Sequence, residues 1–571
     1  MQILESEKKL RKVVLNIATM LQKNEAKFGR HIAYKERNGN AYHGISWKDL
    51  YKNIINIAFN LKGFGFSEGD KIVIFSRNRL EMLELELAVM ASGGITVPIF
   101  ANYKQEVAEL LITHSDAIFL AVSDKQQLDN ISPSLPLKNI FVFDNIIDEQ
   151  FSNLVPFSEL LTIKSAPSFT LKFDASPEDI CLNMYTSGTM GTPKCVQLTH
   201  KNILSQRAAM DSLWDLNEEE RFLSYLPWHH SFGGIYELFT ALYCGATLYL
   251  ESSFGKEPRV ILENWKLVRP TVFFSVPKVY QALFDLTKED KEAEEVFFHP
   301  GLKFIFTAAA PLPERLSKEF EKRNIPVLEG WGLTETSPCC TITDPKMKRE
   351  PGIVGKPIPG VSIRISKLNE IQVKGPNVMV GYYKNDKANK EIFTEEGWFC
   401  TGDIGEITPT GLRLVSRKDR IFKLSNGEKV IPTEIEALIQ AKCHYLSFAL
   451  VEGRGKDHPV ALLFPNRGLL KSSDPDNPSI EGCACPRSLE ELSKCLHGCL
   501  NDANCGIGQE FAKIKSAILI DDELSLDKKT LTPSMKVIPK RVANVYKAHL
   551  QNLYGEENFV EEEVYIIELD E

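Results

Sequence analysis

Apolar runs of strand length alternate with stretches of helical spacing along most of the chain. Five runs are apolar almost throughout, at residues 71–76, 117–123, 139–144, 271–276 and 303–307. Runs without polar alternation, separated by helices, are typical of parallel strands that are buried on both faces of a sheet. From about residue 360 the runs become shorter and alternate, as in residues 362–366, which predicts a small and more antiparallel β subdomain.

A charged link at residues 416–420 (SRKDR) precedes a second α/β pattern of modest size. It begins with a helix from about Thr433 and continues with strands at residues 448–451, 460–464 and 517–520. The fold class is therefore predicted to be α/β, with parallel sheets flanked by helices in a large N-terminal domain, residues 1–416. A small C-terminal α+β domain is predicted for residues 417–571.

The first residues show a helical pattern of their own. Leu10, Val13, Val14, Ile17 and Leu21 recur at helical spacing, which predicts an amphipathic helix over residues 6–23. Such a helix either packs on its own domain or lies on a membrane surface. No apolar stretch has the roughly 20 residues of a membrane span, and no signal-peptide pattern is present. We therefore expect a cytoplasmic protein and leave open a peripheral attachment to the inner membrane surface.

Charge and cysteine content narrow the choice of partners. The formal net charge of −9 over 571 residues argues against a nucleic-acid partner, which would require a clustered basic surface. Twelve cysteines without an export signal are expected to be free thiols in a reducing compartment. Five of them crowd into residues 483–505 with spacing C-x-C-x9-C-x3-C-x5-C. This spacing lacks the paired C-x2-C of common zinc sites, so an insertion without metal is favoured over a metal site.

The strongest chemical signal is the segment YTSGTMGTPK at residues 185–194, directly after an apolar run. Gly188 and Gly191 allow a tight turn whose backbone N–H groups approach a phosphate oxygen, and Lys194 adds a positive charge. Hydroxyl donors are supplied by Thr186, Ser187, Thr189 and Thr192. The segment is not the common phosphate loop G-x4-G-K-[ST], and taken alone it could equally be an ordinary loop.

The ten-residue pattern closely resembles the phosphate loop of the adenylate-forming superfamily, which includes acyl-CoA synthetases, peptide-synthetase adenylation domains and luciferases. Further matches follow in the same order, at residues 329–338 (EGWGLTETSP), 398–405 (WFCTGDIG), 417–436 (RKDRIFKLSNGEKVIPTEIE) and 531–536 (LTPSMK). The last has the form found in long-chain fatty acyl-CoA synthetases. The resemblance extends from about residue 25 to about residue 555.

This resemblance implies an AMP-forming ligase that works in two steps. A carboxylic acid and ATP, with Mg²⁺, give an acyl-adenylate and pyrophosphate, and the acyl group then passes to the thiol of coenzyme A. An acyl carrier protein, through its phosphopantetheine arm, is a second candidate acceptor. The same fold also serves enzymes that stop at the adenylate or emit light, and non-catalytic ligand-binding relatives, which would be expected to lose the motifs.

The resemblance also implies roles for individual residues. Thr186 and Glu335 match metal positions, Asp403 matches a ribose acceptor, and Lys536 matches the catalytic lysine, with Lys540 as a rival. The catalytic set is Lys536, His230 and Glu335. The nucleotide-binding set is Thr186, Ser187, Gly188, Thr189, Gly191, Thr192, Lys194, Ala309, Ala310, Pro311, Glu329, Gly330, Trp331, Gly332, Leu333, Thr334, Asp403, Arg417, Lys423 and Lys536. The hinge of a mobile C-terminal domain is expected near Asp419.

The segment LPWHHSFGGIYE at residues 226–237 resembles the lining of the family's acyl pocket. No acidic residue occurs from 226 to 236, which disfavours an amino acid as substrate. His229 and His230 are expected to be wall residues, with His230 nearest the acyl phosphate. Phe273 and Phe274 are candidates for either the core or an acyl tunnel. An alkyl chain gains about 0.8 kcal/mol for each methylene that is buried, so a long chain can anchor itself in an apolar tunnel. Together with the uncharged segment and the long-chain form of residues 531–536, this makes a fatty acid the expected substrate.

Overall fold

The protein is described here by a computed structural model. It covers residues 2–162, 169–186, 193–308, 312–347, 349–350, 352–471, 473, 483–525, 527–532, 536–556 and 564–569. The chain forms two compact units, of which the larger comprises Met1–Thr401 and Ile407–Arg413. The smaller comprises Gly402–Glu406 and Leu414–Glu571. The domain boundary after residue 416 and the hinge at Asp419 stay predictions.

Strands β1 to β20 belong to the larger unit, and β21 and β22 continue from it into the smaller one. They are β1 (Ile3–Glu5), β2 (Ile32–Asn38), β3 (Ala41–Ser46), β4 (Lys71–Ser76), β5 (Ile95–Phe100), β6 (Phe119–Val122), β7 (Asn139–Val142), β8 (Leu154–Pro156), β9 (Ile180–Thr186), β10 (Lys194–Thr199), β11 (Arg221–Ser224), β12 (Thr247–Leu250), β13 (Val272–Ser275), β14 (Phe304–Thr307), β15 (Val327–Gly332), β16 (Cys339–Ile342), β17 (Lys356–Pro357), β18 (Ser362–Ile365), β19 (Glu370–Lys374), β20 (Gly381–Tyr382), β21 (Phe399–Thr408) and β22 (Gly411–Arg417).

The larger unit also carries α-helices between these strands. They are α1 (Ile17–Phe28), α2 (Trp47–Gly63), α3 (Leu80–Ala91), α4 (Gln105–Ser115), α5 (Lys125–Leu128), α6 (Phe157–Leu161), α7 (His200–Leu213), α8 (Leu238–Cys244), α9 (Pro258–Val268), α10 (Pro277–Glu289), α11 (Lys291–Phe297), α12 (Glu314–Lys322) and α13 (Asp386–Ile392). Two short turns matter for the site: a π-helical turn at Phe232–Glu237 and a 3-10 turn at Thr334–Thr336.

Two large sheets confirm the predicted α/β class. One sheet has the order β20-β10-β9-β5-β4-β6-β7-β8 and is parallel from β9 to β8. The other has the order β17-β16-β15-β14-β13-β11-β12-β2-β3, and its central strands are parallel. The apolar run of β4 is buried at every position after Lys71, as expected for a strand between two parallel neighbours. A third sheet, β1-β18-β19-β21-β22, is the predicted small β subdomain.

The smaller unit has its own sheet and core. Its elements are β23 (Phe422–Lys423), β24 (Lys429–Val430), α14 (Pro432–Lys442), β25 (Leu446–Glu452), β26 (Val460–Pro465), α15 (Arg467–Lys471), α16 (Leu489–Cys505), β27 (Ser516–Ile520), α17 (Pro539–Val545), α18 (Lys547–Leu553) and β28 (Val564–Glu568). The sheet order is β25-β26-β27-β28, and only β26 and β27 run parallel. This mixed sheet with its helices is an α+β arrangement.

The predicted helix over residues 6–23 is wrong in its first half, because the helix begins at Ile17. Asn16 caps α1 by accepting a hydrogen bond from Thr19 N at 2.8 Å, and its amide donates to Phe173 O and Ala175 O. These bonds fix Asn16 in extended backbone, so the residues before it cannot continue the helix. Strand β1 instead pairs antiparallel with β18, with Ile3 opposite Arg364.

No helix in the described ranges combines the length and apolar content that a membrane crossing requires. All twelve cysteines are free thiols, and Cys495 and Cys499 lie on α16. Within the described residues, no group of three or more His, Cys, Asp or Glu side chains is arranged to hold a metal ion.

Candidate active site

The ends of the predicted phosphate loop are held by a β-hairpin. Strands β9 and β10 pair antiparallel, with Thr186 opposite Lys194, and Thr186 Oγ1 donates to Lys194 O at 3.4 Å. Residues 187–192, which include Ser187, Gly188, Thr189, Gly191 and Thr192, lie outside the described residues. The hairpin therefore fixes both ends of the segment that the sequence assigns to phosphate binding.

Helix α7 anchors this hairpin to the rest of the larger unit. Thr199 caps the helix by accepting from Asn202 N at 3.1 Å, and Asn202 Oδ1 accepts from Thr199 N at 2.9 Å. The Asn202 amide also donates to Pro376 O and Val378 O at 2.8 and 2.9 Å. The capping residues thus tie the end of β10 to the segment that leads into β20.

Tyr382 on β20 joins two of the predicted site residues. Its hydroxyl donates to Glu335 Oε1 at 2.7 Å, and Lys194 Nζ lies 4.8 Å from the centre of its ring. Strand β20 pairs with β10, which places Tyr382 opposite Val196. Tyr382 is 5% exposed, so its hydroxyl holds the carboxylate in a defined position. Lys194, Tyr382 and Glu335 therefore form one connected group.

The 3-10 turn that carries Glu335 is itself tightly fixed. Thr336 Oγ1 accepts from Leu333 N at 2.9 Å, and Met379 N donates to Glu335 O at 2.9 Å. Thr334 Oγ1 shares a hydrogen bond of 3.0 Å with Ser231 Oγ, which connects the turn to the predicted acyl-pocket segment. These contacts explain how a short turn holds an acidic side chain in a stable place.

Strand β15 carries four residues of the predicted nucleotide-binding set, from Glu329 to Gly332. Glu329 forms an ion pair with Arg349, and its Oε1 accepts from Leu312 N at 2.8 Å. Trp331 is 8% exposed in this strand and lies opposite Thr341 of β16. Ala309, Ala310 and Pro311 lie outside the described residues. The carboxylate of Glu329 is thus engaged with Arg349 and with the backbone of Leu312.

His229 and His230 lie in the predicted acyl-pocket segment, where no charged side chain occurs before Glu237. Burial, with a smaller repulsion from His230, lowers the pKa of His229 to about 3, so its imidazole is neutral at pH 7. The His229 ring packs 5.0 Å from the ring of Phe100. His230 Nδ1 accepts from Phe232 N at 3.3 Å, which orients this side chain at the start of the π-helical turn. The next acidic side chain, Glu237, is fully buried, and burial raises its pKa well above the ordinary value.

Charged residues of the smaller unit form a second group. Asp403 Oδ1 accepts from Arg417 Nη1 at 2.8 Å, and the Asp403 side chain is 11% exposed. Asp419 lies 3.9 Å from Arg417 Nε and 3.3 Å from Lys540 Nζ. The two carboxylates thus share Arg417, while Lys540 is paired with Asp419.

Lys536 belongs to the Asp403 side of this group. Thr532 N donates to Lys536 O at 2.8 Å, and Lys536 N donates to Thr532 Oγ1 at 3.0 Å, so the two residues close a short loop. The residue as a whole is exposed, yet loss of hydration around its ammonium group lowers the pKa of Lys536. Repulsion from Arg417 lowers this pKa further, and attraction to Asp403 opposes both effects. The ammonium is therefore electrostatically coupled to the Asp403–Arg417 pair.

Of the residues predicted from the sequence, Lys194 and Glu335 belong to the first group, and Asp403, Arg417 and Lys536 belong to the second. Lys423 is exposed on the β23–β24 ribbon, where its backbone oxygen accepts from Gly455 N at 2.8 Å. Sequence reasoning missed Tyr382 and Arg349. The signal for Tyr382 was the segment GYY at residues 381–383, but its link to Glu335 depends on the pairing of β20 with β10.

Comparison with known proteins places the chain in a family. The model of the AMP-binding enzyme family matches residues 21–383, and that of the AMP-binding enzyme C-terminal domain matches residues 419–558. A probable CoA ligase, CCL6 of Humulus lupulus, is 25% identical over 91% of this chain and 89% of its own length. The long-chain-fatty-acid–CoA ligase FadD15 of Mycobacterium bovis is 27% identical over 95% and 97%.

Among solved structures, ATP-bound MatB from Rhodopseudomonas palustris has the same fold, with a TM-score of 0.74. It is 22% identical, and the match covers 93% of this chain and 99% of that one. Because the AMP-binding model alone spans more than half of the residues, this protein belongs to the AMP-binding enzyme family.

Proposed function

We propose that the protein is an ATP-dependent fatty acid ligase that forms an acyl-adenylate and then an acyl thioester of coenzyme A. The observation that carries the choice of acid is the neutral wall after residue 226, with a deprotonated imidazole at His229 and an aromatic π-helical turn behind it. Burial of an alkyl chain against an uncharged wall is favourable in free energy, whereas burial of an unpaired ammonium or carboxylate there is unfavourable. FadD15 of Mycobacterium bovis is named a long-chain-fatty-acid–CoA ligase, which supports the same substrate class here.

The adenylation step requires neutralisation of the negative charge that develops as a carboxylate attacks the α-phosphorus of ATP. Thr186 and Glu335 offer a hydroxyl and a carboxylate, the hard oxygen donors that Mg²⁺ prefers, and these residues fit the ion. Mg²⁺ in this place would supply positive charge to the phosphate oxygens. Lys194 adds a second cation beside the Tyr382 ring, and Lys536 is assigned to the α-phosphate. Asp403 is assigned to the ribose hydroxyls.

The first prediction concerns chain length. The catalytic efficiency kcat/KM should rise roughly tenfold for every two carbons until the acyl site is full, since each buried methylene gains about 0.8 kcal/mol. The measurement is AMP release across the even-chain acids from C2 to C18 at fixed ATP and coenzyme A. A maximum at acetate, or on an amino acid, would contradict the proposed substrate.

The acceptor is tested in the same assay. Coenzyme A and an acyl carrier protein with its phosphopantetheine arm are supplied separately, with a fatty acid of the preferred length. Thioester on coenzyme A supports the proposal, and thioester only on the carrier protein would replace the acceptor. AMP release without any thiol would instead indicate an enzyme that stops at the adenylate.

A second prediction concerns Tyr382, proposed as a positioning residue for Glu335. Tyr382→Phe removes the hydroxyl that donates to Glu335 Oε1 but keeps the ring beside Lys194. Loss of a hydrogen bond that orients a metal-binding carboxylate typically lowers metal affinity ten- to a hundredfold. The Mg²⁺ concentration for half-maximal ATP–pyrophosphate exchange should rise by this factor, while the rate at saturating Mg²⁺ changes much less.

The matched control is the neighbouring Tyr383→Phe. The Tyr383 hydroxyl donates to Asp116 at 2.6 Å, so its loss leaves Glu335 untouched. An equal effect of both substitutions on the Mg²⁺ requirement would show that Tyr382 acts through general packing.

A further inference from the structure

Four aromatic side chains form a continuous block behind the predicted acyl-pocket segment. Phe232 and Tyr236 come from the π-helical turn, Phe274 from β13 and Phe306 from β14. The ring centres of Phe274 and Phe306 are 5.1 Å apart in a stacked pair, and Tyr236 lies 4.9 Å from Phe306. Phe232 lies 5.9 Å from Phe306. All four are at most 6% exposed, so the aromatic block belongs to the interior of the larger unit.

One end of the aromatic block touches the reaction site. Phe232 N donates to His230 Nδ1, and the preceding Ser231 shares its hydrogen bond with Thr334, the neighbour of Glu335. A substrate carboxylate that reacts near Glu335 and His230 would therefore have its alkyl chain directed along Phe232 and the rings behind it.

The other end of the block meets Trp214, the residue that follows α7. Its ring centre lies 5.8 Å from Phe306 and 6.1 Å from both Tyr236 and Phe274. Trp214 is only partly buried, and it lines a small surface cavity of about 20 Å³. Trp214 thus stands between the aromatic block and a solvent-facing cavity.

The cavity beyond Trp214 is lined mainly by apolar atoms, with two charged side chains among the lining residues. Its lining includes Arg207, whose Nη1 donates to Tyr236 O at 2.8 Å and whose guanidinium lies 4.8 Å from the Tyr236 ring centre. Asp211 also lines it and pairs with Arg11 at 2.7 Å. The cavity itself has no room for an alkyl chain, so a methyl terminus that reaches the far end of the aromatic block is stopped by the Trp214 indole.

On the basis of the proposed function, we propose that Trp214 is the chain-length determinant: the alkyl chain of a fatty acid runs along the aromatic block, and the Trp214 indole closes its far end. Arg207 acts as a positioning residue, because it fixes the backbone and ring of Tyr236. The acyl path would thus begin at His230 and Phe232, follow the aromatic block and end at Trp214.

The experiment measures kcat/KM across the even-chain acids for the wild type and for Trp214→Ala and Trp214→Phe. Removal of the indole frees the volume of its two rings at the end of the acyl path and joins that space to the small cavity, so Trp214→Ala should accept acids two to four carbons longer. For the first acid beyond the wild-type maximum, the gain over wild type should be at least tenfold, and Trp214→Phe should fall between. Acids shorter than the maximum should react at nearly the wild-type rate.

The matched control is Phe298→Ala. Phe298 is also a partly buried aromatic residue, but it packs against Phe297 and Phe320, 4.8 and 5.4 Å away, outside the block. An unchanged length profile in Trp214→Ala would overturn the inference, as would an equal loss for all acids. If the wild type activates no fatty acid at all, the proposed function fails, and this result is distinct from both.

A second measurement uses the unaltered protein, so it does not depend on the folding of a variant. A fatty acid of the preferred length with a photoactivatable diazirine at its methyl end is bound with ATP and Mg²⁺ and irradiated. The peptide that contains Trp214 should carry the label. Labelling confined to peptides that line neither the aromatic block nor the cavity would refute the assignment.

Discussion

Replacement of Lys536 by alanine should lower the rate of acyl-adenylate formation about 10²- to 10³-fold, which is typical for loss of one preorganised charge at a transition state. The reason is that the ammonium acts on negative charge that develops only in the first half-reaction. Formation of thioester from supplied acyl-adenylate should therefore be largely spared. ATP–pyrophosphate exchange measures the first step, and release of AMP from supplied acyl-adenylate and coenzyme A measures the second.

Lys540→Ala is the matched control, because it removes the other lysine of the same region. Lys540 is 3.3 Å from Asp419, whereas Lys536 is coupled to Arg417 and Asp403. A mild effect at Lys536 with a severe one at Lys540 would transfer the role to Lys540. Equal losses in both half-reactions of Lys536→Ala would contradict an action confined to adenylation.

The pH dependence supplies an independent readout of Lys536. Its pKa is lowered by lost hydration and by Arg417, so the protonated form is lost at a lower pH than for an ordinary lysine. Adenylation should accordingly decline on the alkaline side, and Lys536→Arg, which stays protonated, should move this decline to higher pH.

Much of the fold was predictable because burial leaves a direct trace in the sequence. Strands such as β4 and β14 lie inside parallel sheets, and this environment selects apolar residues at every position. The helix before residue 28 shows the opposite case. Leu10 and Val13 fit a helical period. Leu10 nevertheless packs against Gly360, and the helix starts only after Asn16. Apolar spacing alone does not tell whether a residue packs from a helix or from extended chain.

Some site residues were predictable from short segments of the sequence, whereas others depend on contacts between segments that are far apart along the chain. Segments such as 185–194 and 531–536 carry their chemistry within a few residues, so they were recognisable from the sequence. The hydrogen bond from Tyr382 to Glu335 joins residues 47 positions apart and depends on the pairing of two strands. The aromatic block likewise draws on three separate elements, and Phe274, a candidate for core or tunnel in the sequence, belongs to it.

Asp403→Ala should reduce kcat/KM for ATP about a hundredfold or more, if Asp403 accepts hydrogen bonds from both ribose hydroxyls. Hydrogen bonds to a charged acceptor contribute about 1.5–3 kcal/mol each. The carboxylate is well placed for such a role, since Arg417 holds one oxygen at 2.8 Å and the side chain is only 11% exposed. Its loss also removes the attraction that offsets the repulsion between Arg417 and Lys536.

The decisive measurement for Asp403 compares ATP with 2′-deoxy-ATP. The wild type should prefer ATP by roughly tenfold or more, the value of one charged hydrogen bond, and Asp403→Ala should bring this preference close to one. Asp521→Ala is the control, because Asp521 forms a similar ion pair with Arg467 at 2.6 Å elsewhere in the smaller unit. That variant should keep both the rate and the preference. If Asp403→Ala loses rate but still prefers ATP by the wild-type factor, the carboxylate does not bind the 2′-hydroxyl, and its part is to hold Arg417 and Lys536 in place.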